Sequence, residues 1–469
     1  METWAYFLDL VKAFDTVPRE ALIQVLDKFG VPPKMVSMIR RMLKDNIVKL
    51  QVQKQSNDME GVMIEQDAII NSTAGVPQGN SMSPVLFVIY IQAVLETMDT
   101  AFTEAGSVRD KPLFYTKLDH MIHGREWNVK RGRIGFSIVE ALYADDACFV
   151  FGSRESMCEA AVIVDKHFTD FGLKVHKGKD GKKSKTECMF FPPSGFKYED
   201  ADTSNVEVNN GYYTFCKRFK YLGSIITWDL KADDDVKTRI RCATSAFNLM
   251  RNVLKSKLVK ASRKAQLYKV IVCTVLLYGS ECWAMRADLL QRLERFHNQC
   301  IRGMCNITRR EQWHKHISDS DLREKFKTIN RRKSDEKNNI LKPLGTIEDM
   351  LTERNLRWGG HVARMKPDRM PRLLLTAWVN NKRPIGRPEQ TFGHALKRSL
   401  VLRAKQIEKS FKPEEMIYTR KADDIAEALR RTGKVKKEDR SKETWLDLAQ
   451  DRKLWTSLVY ELFHDRNDR

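Results

Sequence analysis

The chain has 469 residues, room for roughly two to four domains, and 42% of them are hydrophobic, which excludes a disordered chain and allows sizeable cores. Lysine and arginine number 82 against 61 acidic residues, a formal charge of +21 with an isoelectric point near 9.5, so a polyanionic partner is expected, nucleic acid before an anionic membrane. Nine scattered cysteines form no compact disulfide framework, "METWAYFLDLVKAFD" has no signal-peptide core, and "PVLFVIYIQAVL" and "VIVCTVLLYG" are too short to span a bilayer, so an intracellular chain with no membrane partner is expected.

Tyr6 to Leu10 are apolar and aromatic around Asp9, as in a buried strand. Pro18 then suits the first turn of a helix with Leu22, Val25, Leu26 and Phe29 on one face and Gly30 as its stop. A second helix follows Pro32 and Pro33, its face expected at Met35, Met38, Ile39 and Met42, and residues 46 to 70 alternate as a hairpin would. "AGVPQGNSMSPVLFVIYIQAVLE" reads as a loop feeding an apolar helix, and residues 105 to 134 as a polar insertion. "LYADDACFVFGS" reads as strand, turn, strand, and Ser153 caps a helix with Met157, Ala161, Val164, Phe168 and Phe171 on one face. "KTECMFFPP" is a further strand, residues 194 to 212 a polar loop, and "FKYLGSIIT" one more short strand. After Asp235 strand signals fade, and Val236, Ile240, Ala243, Phe247, Met250 and Leu254 fall at helical spacing. Helices continue to about residue 345, and the remainder is basic and tryptophan-bearing, highly charged between Lys405 and Glu443.

The chemistry starts with Asp145 and Asp146. Neighbouring residues in mid-strand face opposite ways, whereas a tight turn at Ala144-Asp145-Asp146 lets both carboxylates project from its tip. Taken alone, those residues suit a surface hairpin. Asp9 shifts the balance, because it too lies in an apolar segment with only Lys12 as a local counter-charge. Three carboxylates in apolar strands suit Mg²⁺, and a pair of such ions about 3.5–4 Å apart serves polymerases and nucleases alike. In "AGVPQGNSMSPVLF", Gly75, Pro77 and Gly79 shape a loop able to lie close to a ligand, Gln78 offers an amide, and Ser81 and Ser83 offer hydroxyls; a plain helix entry reads equally well. Cys300, Cys305, His314 and His316 do not have zinc-finger spacing and read as core cysteines with surface histidines. The lysines from Lys174 to Lys185 suit a nucleic-acid backbone, and Trp358, Trp378, Trp445 and Trp455 read as core.

Taken in order, these segments resemble the reverse transcriptases of non-LTR (LINE-type) retrotransposons. "FLDLVKAFDTV", "GVPQGNSMSP" and "YADD" resemble the first three palm motifs, "FGLKVHKGKDGKKSKTECMFF" the fourth with extra residues between Val175 and Lys185, and "FKYLGSIIT" the primer grip. "LLYGSECW", "LRWGGHVARM" and "RPIGRP" resemble the C-terminal part of such elements less specifically. The resemblance implies an α+β fold: a right-hand polymerase palm, an antiparallel sheet with helices on one face, over 1–235 with partial fingers. A helical thumb over 236–345 and a basic nucleic-acid-binding region over 346–469 would follow.

The resemblance also implies two Mg²⁺ ions, replaceable by Mn²⁺, on Asp9, Asp145 and Asp146. It makes Phe14 the steric gate against a 2′-hydroxyl, Gln78 and Gly79 contacts to nucleotide and template, and Lys185 a proton donor to pyrophosphate. Tyr221, Leu222 and Gly223 would position the primer end. The implied partners are an RNA template, a DNA primer or target and dNTPs, and the implied location is the nucleus, with the cytoplasm as the alternative. Because the first motif begins within ten residues of Met1, the upstream fingers and endonuclease regions are expected to be missing, and a catalytically incomplete nucleic-acid-binding remnant is the alternative.

Overall fold

The computed structural model describes residues 2–105, 113–117, 133–326, 328–329, 341–376, 392–407 and 445–460, apart from 45, 55–63, 78, 138–139, 194, 284, 343 and 367. Gln78, Trp378, "RPIGRP" and the charged stretch after Ile407 lie outside the described residues. The chain divides into two compact units, Met1–Leu113 with Ser137–Leu222, and Phe114–Phe136 with Gly223–Arg469.

The first unit is built on a six-stranded sheet. Strands β1 (Thr3–Leu8), β6 (Glu140–Tyr143), β7 (Asp146–Phe151), β8 (Glu187–Phe191), β9 (Val206–Val208) and β10 (Gly211–Phe215) lie in the order β6-β7-β1-β8-β10-β9. The expected antiparallel sheet is in fact mixed, because β8 and β10 run parallel, with Thr214 opposite Glu187. Strand β1 is central, and all its residues from Trp4 to Leu8 are buried. Tyr6 stacks on Phe149 at 4.9 Å and lies 6.1 Å from Tyr213, so the middle of the sheet is an aromatic layer.

Short helix α1 (Ala13–Thr16) precedes α2 (Arg19–Lys28) and α3 (Pro33–Leu43), and the expected hairpin forms from β2 (Asn46–Lys54) and β3 (Ile64–Ser72). Helix α3 buries Val36, Ile39 and Leu43 and exposes Met35, Met38 and Met42, which corrects the expected methionine face. Helix α4 (Ser83–Ala105) is longer than its apolar run suggested, and Ser83–Phe102 is apolar and long enough by composition to cross a membrane. It nonetheless buries Phe87, Tyr90, Val94 and Met98 completely, as a core helix against α2 does. Strands β4 (Leu113–Lys117) and β5 (Arg133–Ser137) form a separate small sheet.

Helix α5 (Arg154–Asp170) is capped by the Ser153 hydroxyl and buries Met157, Ala161, Val164 and Phe168, as expected, against β1, β7 and β9. The stretch 194 to 212, expected as a loop, carries β9 and the start of β10, turning at Asn210, whose φ is 59°. "FKYLGSIIT" is two strands rather than one: β11 (Arg218–Tyr221) closes the first unit and β12 (Ser224–Thr227) opens the second. The positive φ values of Leu222 and Gly223, 47° and 83°, break the run.

The second unit is helical apart from short strands. It contains α6 (Asp233–Leu249), α7 (Arg251–Lys255) and α8 (Ala261–Leu267), the last continuing as a π turn over Tyr268–Cys273. Then come α9 (Ala287–Cys305), α10 (Arg309–His314), α11 (Asp319–Glu324) and α12 (Ile347–Ala363). The expected face of α6 and α7 packs into one core with Tyr268, Leu293 and Met304. Buried Asp235 accepts hydrogen bonds from Ile225 N–H at 3.1 Å and Trp283 Nε1–H at 2.8 Å, which fixes β12 and "LLYGSECW" to the start of α6.

A second core in that unit joins α12 to α13 (Met370–Thr376), α14 (Phe392–Ile407), α15 (Trp445–Gln450) and α16 (Arg452–Val459). "LRWGGHVARM" lies on α12. A side chain at Gly360 would collide with the Trp455 ring, and that buried ring donates to Leu356 O at 2.9 Å. Trp358 is 40% exposed, against the expectation of a core residue. Cys300 is buried on α9, while His314 and His316 are exposed.

Candidate active site

Asp9 directly follows β1, and its backbone is held from the β8 side. Its N–H donates to Thr186 Oγ1 at 3.1 Å and its carbonyl accepts from His176 N–H at 2.8 Å, with Leu10 bridged to Val175. Both main-chain groups are thereby used, and the half-buried side chain is left to the site. On the other side β1 pairs antiparallel with β7, Leu8 opposite Ala147, so the next step brings Asp9 level with Asp146.

Asp146 begins β7 and Asp145 lies in the two-residue turn from β6, closed by the pairing of Tyr143 with Asp146. Ala144 turns the chain with a φ of 55°, a left-handed conformation that costs a non-glycine residue about 1–2 kcal/mol. That conformation lets the chain reverse within two residues, and it puts exposed Asp145 beside half-buried Asp146.

Burial, then the negative charges of Asp145 and Asp9, push the Asp146 carboxyl above its ordinary range. Asp146 therefore feels both other carboxylates, and a cation beside it relieves that repulsion. Among the described residues no group of three His, Cys, Asp or Glu side chains is close enough to form a ready-made metal cage. An all-oxygen, partly open donor set still suits Mg²⁺, which takes one or two protein carboxylates and fills its other positions with water and phosphate.

Phe14 sits on α1, half-buried, with its ring stacked on Phe87 of α4 at 4.5 Å. Its carbonyl accepts from Val76 N–H at 2.8 Å, and Gly75 N–H donates to Val17 O at 2.9 Å, so the "AGVPQG" loop is laced to the first motif. Gly75 has a φ of 77°, and a Cβ there would come within 2.6 Å of the Asp15 main chain, so both backbone shape and space demand glycine. Gly79 is exposed with a φ of 88° and nothing near its missing Cβ. Ser83, buried at the start of α4, donates to Pro77 O at 2.5 Å, whereas Ser81 is exposed.

Lys185 is exposed at the foot of β8. Its N–H donates to His176 Nδ1 at 3.1 Å, and the next residue, Thr186, bonds Asp9, so the extra residues between Val175 and Lys185 loop out and return beside the carboxylates. The loop is anchored where Lys177 Nζ meets buried Asp165 of α5 at 2.7 Å and the Asn209 carbonyl at 2.7 Å.

Residues 1–226 match the family described as reverse transcriptase (RNA-dependent DNA polymerase). That span contains the Asp145-Asp146 turn, Asp9 and the loop at Gly75. Residues 1–226 carry a reverse transcriptase domain. A transposon-derived protein of Caenorhabditis elegans is 24% identical over 277 residues, 57% of this chain and 88% of that one. Among solved structures, a Candida albicans telomerase complex with a TWJ fragment of telomeric RNA is 11% identical with a TM-score of 0.25, covering 65% of this chain and 44% of its own. Apo telomerase of Candida tropicalis is 11% identical with a TM-score of 0.29, covering 81% and 54%. The chain thus spans about half of these telomerase chains, and at those scores they carry no argument.

Within the reverse transcriptase domain, β11 brings Phe219 and Tyr221 onto Phe7 of β1, at 4.3 and 5.5 Å between rings. The Tyr221 hydroxyl donates to Ala141 O of β6 at 3.3 Å, and burial first, then Cys148 and Asp146, push its ionisation up to about 12. Leu222 is 37% exposed at the end of this unit. Gly223 begins the next one, where its carbonyl accepts from Arg239, a guanidinium lying over the Tyr278 ring at 4.4 Å.

Two positioning residues of the reverse transcriptase domain escaped the sequence reading. Arg19 donates from Nε to Gly75 O at 2.9 Å, from Nη1 to Ser72 O at 2.6 Å and from Nη2 to Ala74 O at 3.1 Å, clamping the loop with one planar fork. His176 ties Asp9 to Lys185. In "TVPREALIQ" an arginine on the first turn of a helix looks like any solvated charge, and His176 stands alone in a lysine-rich stretch. Neither local setting carries a signal of its role.

Proposed function

We propose that the chain is the RNA-directed DNA polymerase of a non-LTR, LINE-type retrotransposon, adding dNTPs to a primer 3′-hydroxyl on an RNA template. The observation that carries this reading is the meeting of Asp9 with the Asp145-Asp146 turn across β1 and β7. The transposon-derived relative and the order of the motifs support the element class. In this reading 1–235 is the palm, 236–345 the thumb and 346–469 a nucleic-acid-binding region, and the protein works in the nucleus.

Asp9, Asp145 and Asp146 would hold the two Mg²⁺ ions, with Mn²⁺ able to replace them. When bound, such ions activate the attacking hydroxyl and stabilise the leaving pyrophosphate. Phe14, braced by Phe87, excludes a 2′-hydroxyl; Gln78 and Gly79 contact nucleotide and template. Lys185, beside Asp9, donates the proton to pyrophosphate. Tyr221, Leu222 and Gly223 position the primer end.

The test is extension of a DNA primer annealed to RNA, with Mg²⁺ and labelled nucleotides. The chain should extend the primer with dNTPs, Asp145→Ala should abolish extension, and Phe14→Ala should raise ribonucleotide incorporation. Absence of extension under all these conditions would replace the polymerase reading with that of a nucleic-acid-binding remnant. Extension with unchanged sugar selection in Phe14→Ala would remove the steric gate alone.

A further inference from the structure

The second unit has its own basic surface, remote in sequence from the carboxylates. Helices α9 and α10 and the start of α11 enclose an open cavity of about 1220 Å³, lined by Arg295, Arg302, Arg309, Arg310, Trp313 and His316 among others. A second cavity of about 690 Å³ adjoins it, sharing Arg302 and Arg309 and adding Arg251 and Lys255. Together they make one groove bearing six arginine or lysine side chains. A drug-sized ligand needs less space, and the six cations favour a long, negatively charged one.

The charges in the groove are mostly unspent. Arg302 lies 3.7 Å from Asp319, whose carboxylate also accepts from Gln312 and Asn298 at 2.8 Å each. Arg251, Arg309 and Arg310 have no carboxylate partner among the described residues. Asp319 is the one carboxylate among the lining residues, so the cations outnumber it and repel one another, and a polyanion in the groove would reverse the sign of that energy.

Helix α10 shows what kind of polyanion. It buries none of its side chains, so hydrophobic packing does not explain it. It is held instead by its ends: Thr308 and Glu311 form a reciprocal capping box, and Gln312 donates to Ile317 O at 3.1 Å as well as to Asp319. On this short, polar scaffold stands Trp313, 79% exposed. A tryptophan is the largest apolar side chain, and exposing most of it beside arginines forgoes burial that the core could have gained. A flat indole at the mouth of a cationic groove is a stacking platform for an unpaired base, with phosphates free to lie along the arginines.

We infer that the groove of α9 and α10 binds single-stranded nucleic acid, with a base stacked on Trp313 and the backbone held by Arg302, Arg309 and Arg310. A duplex keeps its bases stacked on one another and offers only its backbone, so it cannot use Trp313 in this way. The inference does not depend on the polymerase reading, and its test excludes catalysis.

The experiment measures fluorescence anisotropy of labelled 12-nucleotide oligo(U), oligo(dT) and an RNA duplex on the full chain, in EDTA and without nucleotides. Trp313→Ala should weaken oligo(U) binding about 5- to 150-fold, the worth of one stacked base, while duplex binding changes little. Trp313→Phe, which keeps a ring, should recover most of the loss. Arg309→Gln with Arg310→Gln should lower the salt slope for oligo(U) by about 1.4, two single-strand phosphate contacts. Equal losses for oligo(U) and oligo(dT) assign the groove to single strands of either sugar, and a loss confined to oligo(U) assigns it to RNA; both uphold the inference. Unchanged oligo(U) affinity in Trp313→Ala and in the double variant overturns it, as does an equal loss for the duplex. The urea midpoint checks folding in each variant, and the exposure of these side chains predicts no change.

Discussion

Replacing Gly75 by alanine separates two demands that the site makes on one residue. Gly75 and Gly30 have nearly the same backbone conformation, with φ values of 77° and 75°. Alanine at either position adopts a left-handed conformation at a cost of about 1–2 kcal/mol. The surroundings differ. Nothing lies within 4 Å of a Cβ at Gly30, whereas at Gly75 it would stand 2.6 Å from both Cα and O of Asp15. Those are main-chain atoms and cannot rotate away, so the chain must move, and overpacking of this kind costs about 1–3 kcal/mol. Gly75→Ala should therefore destabilise the protein by about 2–5 kcal/mol and Gly30→Ala by about 1–2 kcal/mol.

The movement also has a direction. It pushes the loop off α1 and strains the bonds from Gly75 to Val17 and from Val76 to Phe14. A displacement near 1 Å at a reacting centre costs on the order of 100-fold in rate, so primer extension should fall far more in Gly75→Ala than in Gly30→Ala. Urea unfolding followed by far-ultraviolet circular dichroism measures the first difference, and single-nucleotide extension the second. Equal unfolding midpoints for the two variants would refute the steric argument. Equal midpoints together with equal extension would also remove the loop from any positioning role.

The second unit should lose stability in mild acid through His297. Burial lowers this imidazole from 6.5 to about 4, and the neutral ring serves both neighbours, accepting from the Tyr268 hydroxyl at 2.9 Å and donating to Gly345 O at 3.1 Å. Below pH 6.5 the unfolded chain takes up a proton that the folded chain refuses, so stability falls from pH 6.5 to about 4 and then levels, a loss of about 3 kcal/mol in all. His297→Gln should flatten the urea midpoint between pH 7 and 5 relative to the parent; an identical pH dependence in both would discard the assignment. Lys177→Met should cost about 3–5 kcal/mol, because it leaves buried Asp165 without its cation. Asp165→Asn in the same background should recover part of that loss, and a Lys177→Met midpoint within error of the parent would show that the pair is not structural.

Much of the local structure was legible in the sequence. Pro18 and Gly30 bracket α2, Ser153 caps α5, and the alternation after residue 46 is a hairpin, because caps, turns and periodicity act within a few residues. The aspartates were also visible as chemistry, since Asp9 and Asp145-Asp146 are carboxylates inside apolar runs. What tertiary structure alone decided was pairing and docking. On α3, Met35, Met38 and Met42 have the same helical spacing as Val36, Ile39 and Leu43, so periodicity cannot choose the buried face; contact with the rest of the unit does. The parallel run of β8 beside β10 is a relation between two strands and belongs to neither segment alone. For the same reason no local pattern could place Asp9 against Asp146. Pairing of β1 with β7 brings together residues 137 positions apart, and burial of the aromatic layer around Tyr6 is what stabilises that pairing.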